Sequence, residues 1–320
     1  MDDEHGRPTR IAVVGTGRVG ATFAYTLLLS GLASEIVLID ANFAKAEGEA
    51  LDLNHSMPLI HATRIWAGDY PDCAGALVTV ITAGLARQPG DSRLDLVNKN
   101  TAIFRQIVPA VAQANPGGIL LVATNPVDVL TYAAWKLSGL PAAHVIGSGT
   151  VLDTARLRYL LSEHCRVDPR SVHANIAGEH GDSEVPLWSL ANIAGMHLPD
   201  FCAAQGLPAE QEVFDEIFRQ TRDAAPPVIA RKGATYYSIA AALMRIIEAI
   251  LRNQRTVLSV SSPIQGLYGI DDVCLSLPSV VGRTGIEHVL ALELSPEETA
   301  GLRHSAAVLK ETIAQAQIGA

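Results

Sequence analysis

The residues best suited to chemistry gather around one stretch, Ala177 to Trp188, reading AGEHGDSEVPLW. At its centre His180 stands between Gly178 and Gly181. An imidazole titrates near neutrality and can carry a proton in either direction. The flanking glycines allow a sharp turn or the close approach of a ligand. Two plainer readings stand beside this one: a surface turn with an ordinary histidine, and a metal pair of His180 with Asp182.

Three other segments carry groups that could serve the same centre. Val151-Leu-Asp-Thr-Ala-Arg-Leu-Arg158 reads as helix, so Asp153 and Arg156 share a face and Arg158 points elsewhere. A carboxylate steadies a histidine that becomes cationic, and an arginine grips a carboxylate in two-pronged fashion. The alternative is an intrahelical ion pair with a spare surface arginine. The polar run Ala83 to Arg93 holds two glycines, a proline, Arg87, Gln88 and Arg93. It reads as a lid that delivers positive charge on closing, or as a solvated loop. Asn125 directly precedes Pro126, which restricts its backbone. Its amide either aims at a carbonyl oxygen or belongs to a turn capping the next helix.

A histidine, an aspartate, arginines and an asparagine suit proton movement on a small anion if a hydride carrier lies beside them. Near the start, Ile11-Ala-Val-Val14 runs into Gly15-Thr-Gly17-Arg18-Val19-Gly20, followed by a periodic segment from Ala21 to Leu29. This is strand, glycine turn and helix, the context in which such a motif binds a dinucleotide. Gly15 permits the turn, Gly17 admits a pyrophosphate, and Gly20 lets helix and strand pack closely. The apolar run Ile36 to Ile39 ends in Asp40. A carboxylate placed about 20 residues past the glycines accepts from ribose hydroxyls and repels a 2′-phosphate, favouring NAD over NADP. The competing reading of Asp40 is a helix N-cap.

The elements that must position these groups follow from the apolar pattern. Strands are expected at Thr63–Trp66, Leu77–Ile81, Ile119–Val122 and His144–Ile146, and helices at Ala44–Leu53, Leu94–Ala114 and Val127–Leu137. Apolar strands alternating with helices predict a parallel sheet covered on both faces, with ligand at the carboxyl ends of its strands. After a break at Asp168-Pro169, a helix is expected over Glu210–Asp223, interrupted by Pro226-Pro227. Ile239, Leu243, Ile246, Ile247 and Ile250 mark a long amphipathic helix. Val257–Ser261 and Val273–Leu277 read as an antiparallel pair across Gly266–Gly269. Ser295-Pro-Glu-Glu298 forms a capping box for a last helix with Leu302, Ala306, Leu309 and Ile313 on its apolar stripe.

The expected fold is therefore α/β: a Rossmann-type doubly wound parallel sheet plus a C-terminal α+β substrate domain. The divisions are a disordered tail over 1–9, an NAD-binding unit over 10–149 and a substrate unit over 150–320. Composition agrees: of 320 residues 48% are hydrophobic and 18% charged. A net charge of −9 argues against nucleic acid or an anionic membrane as partner. Scattered Cys73, Cys165, Cys202 and Cys274 suggest free thiols. Without a signal or a spanning apolar run, a cytoplasmic location is expected.

The segments GTGRVG, IVLIDAN, AGLARQPGDSRLDLVNKN, ATNPVDVLTY, GSGTVLDTARLR and AGEHGDSEVPLW, in this order, closely resemble the L-lactate/malate dehydrogenase family. The resemblance spans nearly the whole chain. It implies that His180 is the acid/base residue, Asp153 its partner, Arg156 the grip on a substrate carboxylate and Arg93 the group that polarises the carbonyl. It also implies Asn125 near that oxygen and the nicotinamide, and NAD held by the glycine turn, including Arg18 and Val19, and by Asp40. A homo-oligomer, expected as a tetramer, follows, and no metal.

Within the family, lactate enzymes usually carry glutamine six residues before the loop arginine and malate enzymes carry arginine. Here that position is Arg87, with Gln88 next to it. Strictly read, Arg87 implies oxaloacetate. The phrasing GEHGDSEVPLW and Thr235 in KGATYY match the lactate members, and a small loop shift would present Gln88. Arg158 and His173 match positions that bind fructose 1,6-bisphosphate in allosteric bacterial lactate enzymes. The resemblance is thus closest to bacterial L-lactate dehydrogenases, with malate or dual specificity as the alternative. An NAD-using glycosidase and a non-catalytic dinucleotide sensor are remoter expectations: the first lacks metal ligands, the second any use for the assembled charges.

Overall fold

Short apolar runs without a polar face become strands when both sides are covered. The structure, a computed structural model, describes residues 9–86, 90, 92–316 and 318. Residues 1–8 of the expected tail, and Arg87 and Gln88, lie outside the described residues. Thr9, assigned to that tail, is buried and donates its N–H to Ser34 Oγ at 2.8 Å.

The first half runs β1 (Arg10–Val14), α1 (Arg18–Ser30), β2 (Glu35–Ile39), α2 (Phe43–Ser56), β3 (Arg64–Ala67), β4 (Val78–Ile81), α3 (Arg93–Ala114), β5 (Ile119–Val122), α4 (Val127–Ser138) and β6 (Val145–Gly147). These six strands pair in parallel in the order β6-β5-β4-β1-β2-β3. The order reverses between β1 and β4, and a crevice opens beyond their carboxyl ends. The turn after β1 carries Gly15, and the segment after β4 begins at Thr82.

The second half begins with α5 (Val151–Cys165), β7 (Val172–His173), β8 (Ile176–Ala177), β9 (Val185–Pro186), β10 (Asn192–Ile193) and β11 (Met196–His197). It continues with α6 (Leu198–Ala204), α7 (Gln211–Arg222), α8 (Ala225–Lys232), α9 (Tyr237–Leu251), β12 (Thr256–Gln265), β13 (Asp271–Gly282), β14 (Gly285–Val289) and α10 (Pro296–Gln315). The expected antiparallel pair is β12 with β13. It adds to the first half's sheet, because Ser261 of β12 pairs with Gly147 of β6. The result is one sheet of nine strands, six parallel and three antiparallel.

One expectation of the second half is corrected. Pro226 and Pro227 do not break a helix; they lie in the first turn of α8, where a missing N–H is harmless. The helix before them ends at Arg222. The Ser295 capping box is present, with Glu298 N–H donating to Ser295 Oγ at 3.2 Å and Ser295 N–H donating to Glu298 at 2.9 Å.

The core lies on both faces of the sheet. Phe23, Leu27 and Leu28 of α1 pack in one cluster with Leu243, Ile246 and Ile250 of α9. All four cysteines are buried and free. Among the described residues, no helix is long and apolar enough to cross a membrane.

The junction of β6 with β12 leaves no spare volume. A Cβ on Gly147 would lie 2.3 Å from Thr131 Oγ1 and 2.8 Å from Ser261 Cβ. Gly147→Ala should therefore lower stability by about 1–3 kcal/mol through overpacking. Urea unfolding checks this: the midpoint should fall with an unchanged slope.

Candidate active site

Only glycine fits the turn after β1. Gly15 has φ +100°, and a Cβ there would meet Ala83 N at 2.4 Å. A Cβ on Gly20 would sit 1.9 Å from the Gly15 carbonyl oxygen, so Gly20 packs the turn and does not line the cleft. Gly17 faces open space and caps α1 without a side-chain hydrogen bond. The first N–H groups of α1 are thus directed at the cleft, as phosphate binding needs.

Asp40 organises the same turn. Its Oδ2 accepts from Thr16 N–H at 2.7 Å and Thr16 Oγ1 at 3.0 Å, and its Oδ1 from Asn42 N–H at 2.9 Å. Partial burial opposes its ionisation, but these donors prevail and hold its pKa below the ordinary value. Asp40 is not the N-cap of α2; Asn42 is, through Lys45 N–H. A cavity of about 610 Å³ extends from Gly15 and Gly17 to Asp40. A second cavity of about 290 Å³ is lined by Val19, Asn125, Arg156, His180 and Thr235. The two share Thr82, Gly84 and Leu85. This elongated cleft, closed to side chains at Gly15 and open at Gly17, fits a dinucleotide reaching from Asp40 to His180. Arg18 lies outside it, with its guanidinium against Gly233 at the end of α8.

His180 is carried by a tight hairpin. β8 and β9 pair antiparallel, and Gly178 is tied to β13 by reciprocal bonds with Ser276 at 2.8 and 2.9 Å. The ring donates from Nδ1 to Asp153 Oδ2 at 2.5 Å, leaving Nε2 for the cavity. Asp153 Oδ1 accepts from Arg156 at 2.9 Å. The ion pair within α5 and the histidine partnership therefore coexist on one carboxylate. Asp182, the alternative metal partner of His180, is exposed.

Electrostatics favour the protonated ring. Burial opposes charge on His180, but Asp153, Asp128 and Glu184 outweigh it and raise its pKa to about 9. Burial likewise opposes charge on Asp153, and His180 and Arg156 overcome it, lowering its pKa. Because the His180 pKa is raised on folding, the stability it contributes is full below pH 6.5 and is lost as pH rises through about 9.

Arg93 is placed differently from expectation. It is the first residue of α3, fixed by a capping box of Ser92 and Asp95, and its guanidinium pairs with buried Glu179. It does not line the cavity at His180. Arg158 leaves the catalytic face, as its helical position requires, and donates to Ala174 O at 2.8 Å. His173 is exposed on β7.

Several residues of the site escaped the sequence reading. Asp128 of α4 is buried, accepting from His180 N–H at 2.7 Å and from Ser261 Oγ at 2.6 Å. Burial raises its pKa to about 6. Asn100 of α3 bonds to both backbone groups of Leu85 and donates to Asn125 O at 2.8 Å, joining the loop to the Asn125 turn. A polar residue on the apolar face of α3, beside Val97 and Phe104, was the available signal.

A dinucleotide cleft ending at a histidine paired with a buried aspartate, and an arginine, defines a nucleotide-dependent dehydrogenase. The chain belongs to the lactate/malate dehydrogenase family: residues 9–147 match its NAD binding domain and 150–318 its alpha/beta C-terminal domain. It is 53% identical to an L-lactate dehydrogenase of Thermoanaerobacter sp. (strain X514), covering 97% of this chain and 99% of that protein. It is also 53% identical to one of Moorella thermoacetica, covering 96% and 98%. A solved lactate dehydrogenase from a Medee basin deep-sea metagenome superposes with TM-score 0.94 at 43% identity, covering 97% and 99%. The minor L-lactate dehydrogenase of Enterococcus mundtii gives TM-score 0.92 at 42% identity, covering 96% and 98%.

Asp153→Asn should lower the His180 pKa by roughly two units, because the largest favourable charge is gone. An NMR titration of the imidazole in the ligand-free protein checks this.

Proposed function

We propose that this chain catalyses the NAD-dependent interconversion of L-lactate and pyruvate. The observation that carries this is the assembly of His180, Asp153 and Arg156 where the dinucleotide cleft ends. The L-lactate dehydrogenases it resembles across nearly their full length support the substrate choice.

Bound NAD supplies the hydride acceptor or donor. The protein handles the proton and the charges. In oxidation, neutral His180 takes the lactate hydroxyl proton at Nε2, and Asp153 stabilises the imidazolium through Nδ1. In reduction, the charged ring returns that proton to the carbonyl oxygen of pyruvate. Arg156 grips the substrate carboxylate, and Asn125 and Thr235 line the same cavity. For Arg93 to polarise the carbonyl, its guanidinium must leave Glu179 and swing to the substrate. With the His180 pKa near 9, reduction is favoured at neutral pH and oxidation at alkaline pH.

NAD is bound by the unit 10–149, through Gly15, Gly17, Val19 and Asp40, and substrate by the unit 150–320. The protein is a cytoplasmic homotetramer; its four buried thiols accord with a reducing compartment. Fructose 1,6-bisphosphate activates it at Arg158 and His173. Arg158 is paired with no carboxylate among the described residues and borders a cavity of about 450 Å³ with Asn175 and Arg245. His173 is outside that cavity's lining, which weighs against a joint site within one subunit.

Steady-state assays with both keto acids test the substrate: kcat/KM for pyruvate should exceed that for oxaloacetate, and the reverse order overturns the reading. Fructose 1,6-bisphosphate should raise activity at low pyruvate and Arg158→Ala should abolish that response; an unresponsive wild type ends the regulatory proposal.

A further inference from the structure

Glu184 closes the hairpin that carries His180, yet no step so far uses it. It is only 7% exposed, and its Oε1 is buried without a hydrogen-bond partner among the described residues. A buried carboxylate left unpaired is strongly unfavourable. Its surroundings explain what it faces: ligand atoms of Glu184, Asp153 and His180 all lie within 4.8 Å of one another. We propose that Glu184 is a positioning residue of the acid–base centre, a buried carboxyl whose charge sets the pH at which His180 yields its proton.

The charges around it make such coupling strong. Asp153 and Arg156 face it from α5, His180 from the hairpin and Arg222 from the end of α7. Asp128 of α4 bears on the imidazole from its backbone side. Glu298 of α10 is occupied by Ser189 and Ser295. Burial, then Asp153, pushes the Glu184 pKa up to about 8, below that of His180 at about 9. At neutral pH Glu184 is therefore a neutral acid beside a charged ring. As pH rises through about 8 it ionises, and its new negative charge retains the imidazolium proton to higher pH. The centre thus keeps its proton for pyruvate reduction over a wider alkaline range than Asp153 alone would give.

This rests on His180 being the acid–base residue, and the experiment separates the two claims. Glu184→Gln keeps the neutral shape and removes the charge. The alkaline limb of pyruvate reduction should move down by about half to one pH unit. At about pH 9.5 reduction should fall roughly 3- to 8-fold while the acid limb of lactate oxidation shifts down with it, and near pH 6 variant and wild type should agree. Glu184→Asp should restore part of the shift. A uniform loss in both directions at every pH, or an unmoved limb, overturns the proposal. NMR of the unmodified, ligand-free protein gives a second reading that needs neither turnover nor a folded variant. A buried glutamate carboxyl should titrate near pH 8, with a matching step in the His180 ring. If that carboxyl titrates in the ordinary glutamate range, the proposal fails. If the steps appear but pyruvate is not reduced, the assigned function fails and the coupling stands.

Discussion

A cationic imidazole in a partly buried pocket is the constraint around which this protein is arranged. His180 is 27% exposed on its side chain, and Asp153 only 3%. Neither would hold charge alone at such depth. Together, with Arg156 on the second oxygen of Asp153, each charge is matched by another at hydrogen-bond distance. The arrangement also fixes the ring: with Nδ1 committed to the carboxylate, Nε2 is the nitrogen left for proton transfer. Acidity and orientation have one cause.

That pair depends on contacts far apart in the chain. The hairpin carrying His180 is anchored to β13 through Gly178 and Ser276. Its backbone at His180 is held by Asp128 of α4, and Asp128 is held by Ser261 of β12. Ser261 lies opposite Gly147, where the parallel and antiparallel parts of the sheet meet. The His180 ring is therefore tied to the seam of the nine-stranded sheet. The cofactor cleft opens in the middle of that sheet's parallel part, at the crevice between β1 and β4. Asn100 joins these regions by binding Leu85 and the backbone of Asn125. Charged groups that must act together are thus mounted on helices, strands and a tight hairpin.

Arg93 occupies a different balance. Its guanidinium sits on Glu179, whose other oxygen accepts from Ser183 Oγ at 2.5 Å. A buried carboxylate next to His180 needs a cation, and Arg93 supplies it. The same charge is thereby kept out of the cavity at His180. The proposed catalytic contact requires the guanidinium to turn away from Glu179, since Arg93 does not line the cavity at His180.

The sequence by itself determined whatever depends on neighbours along the chain. The glycine turn was legible because Gly15 and Gly20 answer local steric demands between a strand and its helix. Apolar runs located the six parallel strands to within a residue or so, since burial on both faces leaves few polar positions; the short strands β7–β11 and β14 carry no such run. Helical spacing put Asp153 and Arg156 on one face and sent Arg158 away. Only the tertiary structure decided the rest. Asp128, Glu184 and Glu179 look like ordinary acidic residues in sequence, because what raises a pKa or demands a cation is burial by distant segments. Pro226 and Pro227 open α8, a helix that the sequence pattern had not marked. The placement of Arg93 on Glu179 brings together residues 86 apart in the chain. Periodicity and spacing encode short-range geometry; desolvation and Coulomb coupling arise only when separate segments meet.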